Sequence, residues 1–125
     1  MAGKFVVRKT GTGIKFDLKA ANGEIVLSSE VYSTPAACRN GINSVRENAP
    51  DAPVEDQTAT GYTEEKNPKF EIYLDGAGAF RFRLKAKNGQ IIGAGEGYKS
   101  KAGCQNGIES VRKNAADAVV EEDLG

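Results

Sequence analysis

CRNGINSVRENA, at residues 38–49, returns as CQNGIESVRKNA at residues 104–115. Outward from these stretches, residues 16–56 align with residues 82–122 without a gap and are identical at 23 of 41 positions. Identity at this level within one chain indicates an internal duplication, so both halves are expected to form the same supersecondary unit.

A chain of 125 residues is long enough for one ordinary domain with a buried core. The segment between the copies, QTATGYTEEKNP, is polar, unrepeated and ends in proline, which is the composition of a linker. We therefore predict a single pseudo-two-fold domain over residues 1–125, made of repeat 1 (4–56), the linker (57–68) and repeat 2 (69–122).

Each repeat is predicted to contain three strands, a helix and a short fourth strand. Apolar residues alternate with polar ones at Phe70, Ile72 and Leu74, which is the period of a half-buried strand. An Asn-Gly pair in each repeat predicts a hairpin turn with positive φ at both positions. These pairs are Asn22-Gly23 and Asn88-Gly89. The third strand is expected at 25–31 and 91–97, and the fourth at 54–56 and 119–122.

The duplicated stretch itself predicts the helix. Thr34 and Ser100 stand where an N-cap is expected, and Pro35 suits the first helical position. Cys38 and Cys104 begin apolar stripes at steps of four, three and four residues, which is typical of a helix that covers a core. Both cysteines are interpreted as small buried hydrophobic residues.

One repeat is too small to bury both its sheet face and its helix stripe. The predicted fold is therefore α+β: two β-β-β-α-β repeats that share one largely antiparallel sheet, with both helices on one face. A pseudo-two-fold axis between the copies is the simplest arrangement.

The segment LKAKNGQIIGAGEGYKSKAGCQNGIESVRKNAADAVVEE, residues 84–122, resembles the YegP-like family of small uncharacterised proteins. The resemblance covers both repeats and rests on the NG turn, GEGYKSK and NGIxSVRxNA. It implies a single sheet with the final strands exchanged between the copies, and homodimers where a family member has one copy. The family has no established activity, so the resemblance implies none.

Composition and charge restrict the classes of function. Lys plus Arg and Asp plus Glu both number 17, and neither half has an excess, so the basic footprint of a nucleic-acid binder is missing. The chain has no His and only two Cys, which removes Ser-His and Cys-His catalysis and most transition-metal sites. No cofactor, metal or membrane span is predicted, and the sequence start lacks the apolar stretch of a secretory signal.

Glycines Gly41 and Gly107 lie inside the predicted helices, where glycine costs about 1 kcal/mol relative to alanine. Their place beside the apolar stripe favours close packing over ligand contact. In repeat 2, Gly107 is expected to lie over the glycines of the third strand.

A polar stripe runs along each predicted helix at steps of four residues. Its members are Asn40, Ser44 and Asn48 in repeat 1, and Asn106, Ser110 and Asn114 in repeat 2. The stripe either lines a ligand groove between paired helices, forms a hydrogen-bonded helix–helix seam, or serves only to cap the helix.

Two further clusters are candidates for function. Glu30 with Tyr32, and Glu96 with Tyr98, are expected on one side of the third strand, where Lys101 and Arg83 would complete a polar cluster for acid–base work or anion binding. A solvated ion pair is the structural alternative. In repeat 1, Ser33-Thr34-Pro35 replaces Lys99-Ser100-Lys101, so any role of Lys101 is confined to one side.

A row of basic residues is expected to point outward from the second strand of repeat 2, and it favours weak binding of nucleic acid or anions. The row consists of Arg81, Arg83, Lys85 and Lys87. Pairing with Glu71 and Asp75 on the neighbouring strand is expected to neutralise much of it.

These patterns favour a non-enzymatic cytosolic module, monomeric as an internal pseudo-dimer, that binds an unidentified protein or small ligand through its sheet face or its helices. The alternatives are binding of nucleic acid or anions through the basic row, and an enzyme that uses Glu96, Tyr98 and Lys101.

Overall fold

The structure is a computed structural model that describes residues 3–124. Within these residues, eight strands and two helices follow one another as two β-β-β-α-β units. The elements are β1 (Lys4–Lys9), β2 (Ile14–Lys19), β3 (Ile25–Ser29), α1 (Pro35–Asn48), β4 (Val54–Asp56), β5 (Lys69–Leu74), β6 (Phe80–Lys85), β7 (Ile91–Ala94), α2 (Lys101–Ala115) and β8 (Val119–Asp123).

All eight strands belong to one sheet, in the order β4-β5-β6-β7-β3-β2-β1-β8. The last strand of each repeat leaves its own repeat: β4 pairs in parallel with β5, and β8 pairs in parallel with β1. The other described pairings are antiparallel. The α+β fold and the exchange of final strands are therefore confirmed.

The two repeats join at the centre of the sheet through β3 and β7. This antiparallel pairing is short, with Ser28 opposite Ala94 and Ser29 opposite Gly93. Repeats related about such a junction have a pseudo-two-fold axis perpendicular to the sheet, so both helices lie on one face. The largest core side chains are a phenylalanine from each of the four strands of the two first hairpins: Phe5, Phe16, Phe70 and Phe82.

The Asn-Gly turns differ from the prediction. Gly23 has φ of 86° and Gly89 has φ of 84°, but no asparagine or other non-glycine residue in the described part of the chain has positive φ. The Gly23 N–H donates to the carbonyl of Ala20, and the Ala20 N–H donates to Glu24. The loop is therefore one residue longer than expected, with a turn followed by a glycine bulge. A separate bulge at Val26 shifts the register between Leu18 and Lys19, because Leu18 lies opposite Leu27 and Lys19 lies opposite Ile25.

The third strands are also shorter than predicted. They end at Ser29 and Ala94, and only isolated bridges at Tyr32 and Tyr98 return to the neighbouring strand. The irregular residues between strand and bridge change the direction of both tyrosines, so the period-two argument does not extend to them.

The helices begin as predicted. The side chain of Thr34 accepts a hydrogen bond from the N–H of Ala37, and that of Ser100 accepts one from Gly103. Each helix packs mainly on sheet strands, α1 on β1, β2 and β7, and α2 on β1, β2, β3 and β6. In the described part of the chain, neither helix combines the length and apolarity needed to span a membrane.

Candidate functional site

In both repeats a tyrosine lies beneath a helix glycine. A Cβ added to Gly41 would overlap the hydroxyl of Tyr32 and lie 2.7 Å from its Cζ, and one added to Gly107 would lie 2.9 Å from Cζ of Tyr98. The rings stack on core phenylalanines, with centroid distances of 6.3 Å for Tyr32 and 6.4 Å for Tyr98. The helix glycines therefore make room for tyrosines.

The neighbours of Gly107 differ from the prediction. Its closest atoms belong to Tyr98 and Phe82 rather than to the glycines of β7. Gly93 instead faces Leu27 across the repeat junction. The reason is the early end of β7, which brings Tyr98 between the sheet and the helix.

Tyr32 opens onto a groove of about 300 Å³ between α1 and the β6–β7 turn. We call this the α1 groove. Its polar walls are Asn40 and Ser44 on the helix, and Asn88 and Gln90 on the turn. The repeat-1 stripe thus faces the Asn-Gly turn of the other repeat, and the prediction of a groove or seam between paired helices is wrong.

The corresponding region of α2 forms two clefts, which we call the α2 clefts. One, of about 310 Å³, lies between the 20–22 turn and the helix residues Ser110, Lys113 and Asn114. The other, of about 470 Å³, is lined by residues 23–26, Glu96 and Tyr98. Asn106 lies apart from both, in a shallow cleft beside Val54 of β4. The repeat-2 stripe is therefore divided between two surfaces.

The last asparagine of each stripe has a structural role. The side-chain N–H of Asn48 donates to the backbone carbonyl of Ser44 at 2.8 Å, and Asn114 donates to Ser110 at the same distance. Asn48 is also buried. These amides fold back onto the residue four positions earlier in their own helix, which leaves Asn40 and Ser44 as the stripe members that line the α1 groove.

Within residues 3–124, neither the Tyr32 nor the Tyr98 hydroxyl is a buried polar atom without a partner. Both tyrosines are partly exposed, and each lines a groove or cleft beside its helix. Burial raises the pKa of Tyr32, and the nearby Cys38 and Glu30 raise it further. Burial likewise raises the pKa of Tyr98. Both phenols therefore stay protonated at neutral pH and can donate a hydrogen bond to a molecule in the groove.

The predicted cluster of Glu96, Tyr98, Lys101 and Arg83 is not assembled. Lys101 pairs with Asp56 of β4 at 2.8 Å, and Arg83 pairs with Glu71 at 2.6 Å. The ring of Tyr98 packs towards the core. Glu30 and Glu96 are exposed and line a cleft near Arg81, and Glu96 also lines the larger α2 cleft together with Tyr98. Glu96 and Tyr98 thus share a cleft, but the four-residue cluster does not form because Lys101 and Arg83 are engaged by other carboxylates.

The basic row is largely neutralised, as expected from its neighbours. Arg81 pairs with Asp75 and Arg83 with Glu71, both at 2.6 Å, and Lys85 lies 3.3 Å from Glu71. Lys87 lies beyond the end of β6 and is not part of the strand row. Free cations for a phosphate backbone are therefore few along this strand.

A buried ion-pair network on the outer face was not predicted. Lys69 lies 2.7 Å from Glu55 and 3.2 Å from Glu71, and all three side chains are buried. Burial alone would raise the pKa of Glu55, but hydrogen bonds from Gln57, Lys69 and the Glu65 N–H outweigh it and hold this pKa at about 2. The linker supplies two of these donors. Repeat 2 begins with Lys-Phe-Glu, which places Lys69 and Glu71 on one face of β5. No nearby sequence feature indicates that the linker covers these two side chains.

Two arginines at equivalent helix positions connect the repeats, and they too were missed. Arg46 donates to the carbonyl of Ala118 before β8, and Arg112 donates to the carbonyls of Ala49 and Ala52 before β4. Each guanidinium also lies 5.3 Å from a phenylalanine ring centroid. In the sequence both arginines belong to the repeated segment Ser-Val-Arg. Taken alone, this segment indicates a helix face that is exposed to solvent.

The cysteines are fully buried and unpaired with each other. Burial raises the pKa of Cys38, and it raises that of Cys104 to about 11. A buried, protonated thiol is a poor nucleophile. Among residues 3–124, no group of three or more Cys, Asp and Glu side chains is placed to hold a metal ion.

A known protein family matches this chain twice, once in each repeat. The model of a domain of unknown function, DUF1508, matches residues 12–56 and again residues 75–122. The chain belongs to this family. The two matches correspond to the two repeats, one in each half of the sheet.

Relatives named UPF0339 proteins match almost the whole chain. YegP of Yersinia pestis is 42% identical over 121 residues, which cover 96% of this chain and 95% of the relative. A UPF0339 protein of Stutzerimonas stutzeri, in the 5′ region of the ptx operon, is 38% identical over 98% and 97%. A Treponema denticola protein is 68% identical over 54 residues, which cover 43% of this chain but 93% of that protein. It therefore corresponds to a single repeat.

Two solution NMR structures have the same fold. That of yegP from E. coli, a protein of unknown function, has a TM-score of 0.82 at 34% identity and covers 100% of this chain and 96% of its own. UPF0339 protein SO3888 of Shewanella oneidensis has a TM-score of 0.80 at 32% identity, covering 99% and 93%. The relatives of known structure thus share the fold of this chain, and the DUF1508 family has no known function.

Proposed function

We propose that this DUF1508 protein is a non-enzymatic binding module, and that it holds a small, neutral, hydrogen-bonding molecule in the α1 groove. The observation that carries the proposal is the hydroxyl of Tyr32. It occupies the space that a side chain at Gly41 would need, and Tyr32 is a partly exposed residue that lines the α1 groove.

A phenylalanine at position 32 would stack on Phe16 equally well and leave more room for the helix. The hydroxyl instead requires glycine inside α1, which costs about 1 kcal/mol of helix stability relative to alanine. The same arrangement recurs at Tyr98 and Gly107. A hydroxyl that costs stability and lies in the lining of a groove is best explained by a hydrogen-bonding partner that enters the groove.

The lining of the α1 groove suggests the class of ligand. Within residues 3–124, every residue that lines it is uncharged. Asn40, Asn88 and Gln90 offer both donors and acceptors, while Ile91 and Ile92 offer apolar surface. This combination suits a small molecule with amide or hydroxyl groups, because apolar contact supplies affinity and a few polar groups fix orientation.

The α2 clefts are expected to have a different preference. Glu24 stands where the α1 groove has Gln90, and Lys113 and Glu96 add further charge. We therefore expect the neutral ligand to bind to one site per chain. The module is further proposed to act as a cytoplasmic monomer, since the exchanged strands already give each repeat its partner.

The test is a titration followed by ¹⁵N–¹H NMR, with uridine, glucose and N-acetylglycinamide as separate neutral probes at millimolar concentration. At least one probe should shift the amide signals of Asn40, Gly41, Ser44 and Gln90. Tyr32→Phe should abolish the shifts without lowering the melting temperature. Tyr73→Phe, on the other face of the sheet, is the matched control and should leave binding unchanged.

The proposal is wrong if none of the three probes shifts these signals. It is also wrong if Tyr32→Phe binds as well as the wild type. A lower melting temperature in Tyr32→Phe would instead give the hydroxyl a role in folding.

A further inference from the structure

The edge strand β8 is exposed along its whole length, in contrast to the other edge. Val119 and Val120 are 64% and 41% exposed. At the opposite edge, β4 occupies the equivalent place, and its Glu55 is only 2% exposed. In the described part of the chain β8 pairs on one side only, with β1, so alternate backbone N–H and C=O groups on its other side are available to a further strand.

The difference between the two edges comes from the linker. At β4, Gln57 donates to the Glu55 carboxylate at 2.6 Å, and the backbone N–H of Glu65 donates to it at 2.7 Å. These donors and Lys69 complete the burial of Glu55. The linker thus shows that this corner of the sheet accepts a chain segment that donates hydrogen bonds to the edge carboxylate.

The corresponding corner at β8 has the same pair of residue types but no cover. Lys4 lies 3.1 Å from Glu121, with side chains 42% and 55% exposed. Val119 and Glu121 lie on this outer face, since Glu121 is in register with Val6 and reaches Lys4. One corner of the pseudo-symmetric sheet is therefore covered by the chain itself, and its counterpart is bare.

The charge of β8 distinguishes the possible occupants. Glu121, Glu122 and Asp123 follow one another, and among residues 3–124 only Lys4 and Arg39 pair with this run. Arg8, in register with Asp123, is engaged by Asp17 at 2.7 Å. Pairing of β8 with β8 of a second copy would bring like charges together, which disfavours a homodimer here. A basic segment would meet complementary charge.

We propose that the outer edge of β8 is a docking site for an extended basic segment of a partner protein, which adds to the sheet as a ninth strand beside Val119–Asp123. Backbone hydrogen bonds to the free edge supply the alignment, Val119 and Val120 contact apolar side chains, and the carboxylates select lysine or arginine. The site lies on a different surface from the α1 groove and does not depend on it.

The test uses two synthetic probes, acetyl-KVKVKV-amide and its acidic counterpart acetyl-EVEVEV-amide, each titrated into the full-length protein and followed by ¹⁵N–¹H NMR. The basic peptide should shift signals of Val119–Asp123 and of β1, and the acidic one should not. Glu121→Lys should weaken binding by about tenfold or more, because an attraction becomes a repulsion. Glu64→Lys, the same charge change on the exposed linker, should not weaken it.

Three results would overturn the proposal. The first is that the basic peptide does not shift the signals of β8. The second is that Glu121→Lys and Glu64→Lys weaken binding equally, which is the pattern of nonspecific charge attraction, and the third is that the wild type sediments as a dimer whose association Glu121→Lys changes. The last result would make a second copy the occupant.

Discussion

The ammonium of Lys69 lies 2.7 Å from the carboxylate of Glu55, with the two side chains 7% and 2% exposed. The equivalent pair, Lys4 and Glu121, is of the same residue types and lies open to solvent. Buried ion pairs contribute little when intact but are costly to break, because one uncompensated charge then remains in the interior. We therefore expect removal of one charge to destabilise the protein at the Lys69–Glu55 corner of the sheet and to have little effect at the Lys4–Glu121 corner.

We expect the stability of the protein to fall as the pH is lowered from about 4.5 to about 2. The pKa of Glu55 is about 2 in the folded protein and 4.5 ordinarily, so the folded state favours the ionised form. That contribution is fully present above pH 4.5 and is lost as the pH approaches 2. The pKa values of Glu71 and Asp56 are also lowered and act in the same direction.

Urea denaturation across this pH range measures the effect. Glu55→Gln should reduce the slope of stability against pH. At pH 7 it should also destabilise the protein more than Glu121→Gln, because Glu55 is buried and Glu121 is 55% exposed. Equal slopes for wild type and Glu55→Gln would show that the pKa of Glu55 is not lowered.

Gly107→Ala is expected to destabilise the protein in spite of the better helix propensity of alanine. The new Cβ would overlap the Tyr98 hydroxyl and lie 3.0 Å from Cε2 of Phe82. Overpacking of this kind costs about 1–3 kcal/mol, and the gain in propensity returns about 1 kcal/mol. Gly103→Ala is the control, since its Cβ would lie no closer than 3.2 Å to its neighbours.

Thermal denaturation of both variants distinguishes them, and Tyr98→Phe should restore part of the stability of Gly107→Ala. If Gly107→Ala melts at or above the wild-type temperature, Tyr98 has room to move and the helix glycine needs another explanation.

A fragment of residues 1–60 should dimerise or fail to fold. Alone, it has β4 without β5 and β1 without β8, because both partners belong to repeat 2. Two fragments can restore both pairings by placing β4 of each beside β1 of the other. Sedimentation equilibrium gives the mass, and circular dichroism gives the helix content. A folded monomer would mean that β4 can return to its own repeat.

Cys38 and Cys104 should react with a thiol reagent such as DTNB only when the protein unfolds. Both side chains are fully buried, and the pKa of Cys104 is raised to about 11, so the thiolate is scarce at neutral pH. Reaction should be slow in buffer and complete in denaturant. Rapid reaction of either thiol in the native protein would reveal an opening of the helix–sheet interface.

The local elements followed from the sequence because their signals are local. The N-caps at Thr34 and Ser100 and the alternation in β5 involve residues within a few positions of each other. The exchange of strands did not follow from these patterns, and only the family resemblance implied it. The polar stripe on α1 was recognised from the sequence. The β6–β7 turn that faces it was not, because Ser44 and Asn88 lie far apart in the chain.

The sequence by itself determined the duplication, the order of strands and helices, and the positions where Asn-Gly and helix glycine recur. Tertiary structure alone decided that Tyr32 and Tyr98 turn under the helices, that the Ser44 stripe faces the turn of the other repeat, and that the linker buries Glu55 but leaves Glu121 bare. The physical reason is that residues of the same type acquire different burial, and hence different effects on stability and binding, only through contacts with distant parts of the chain.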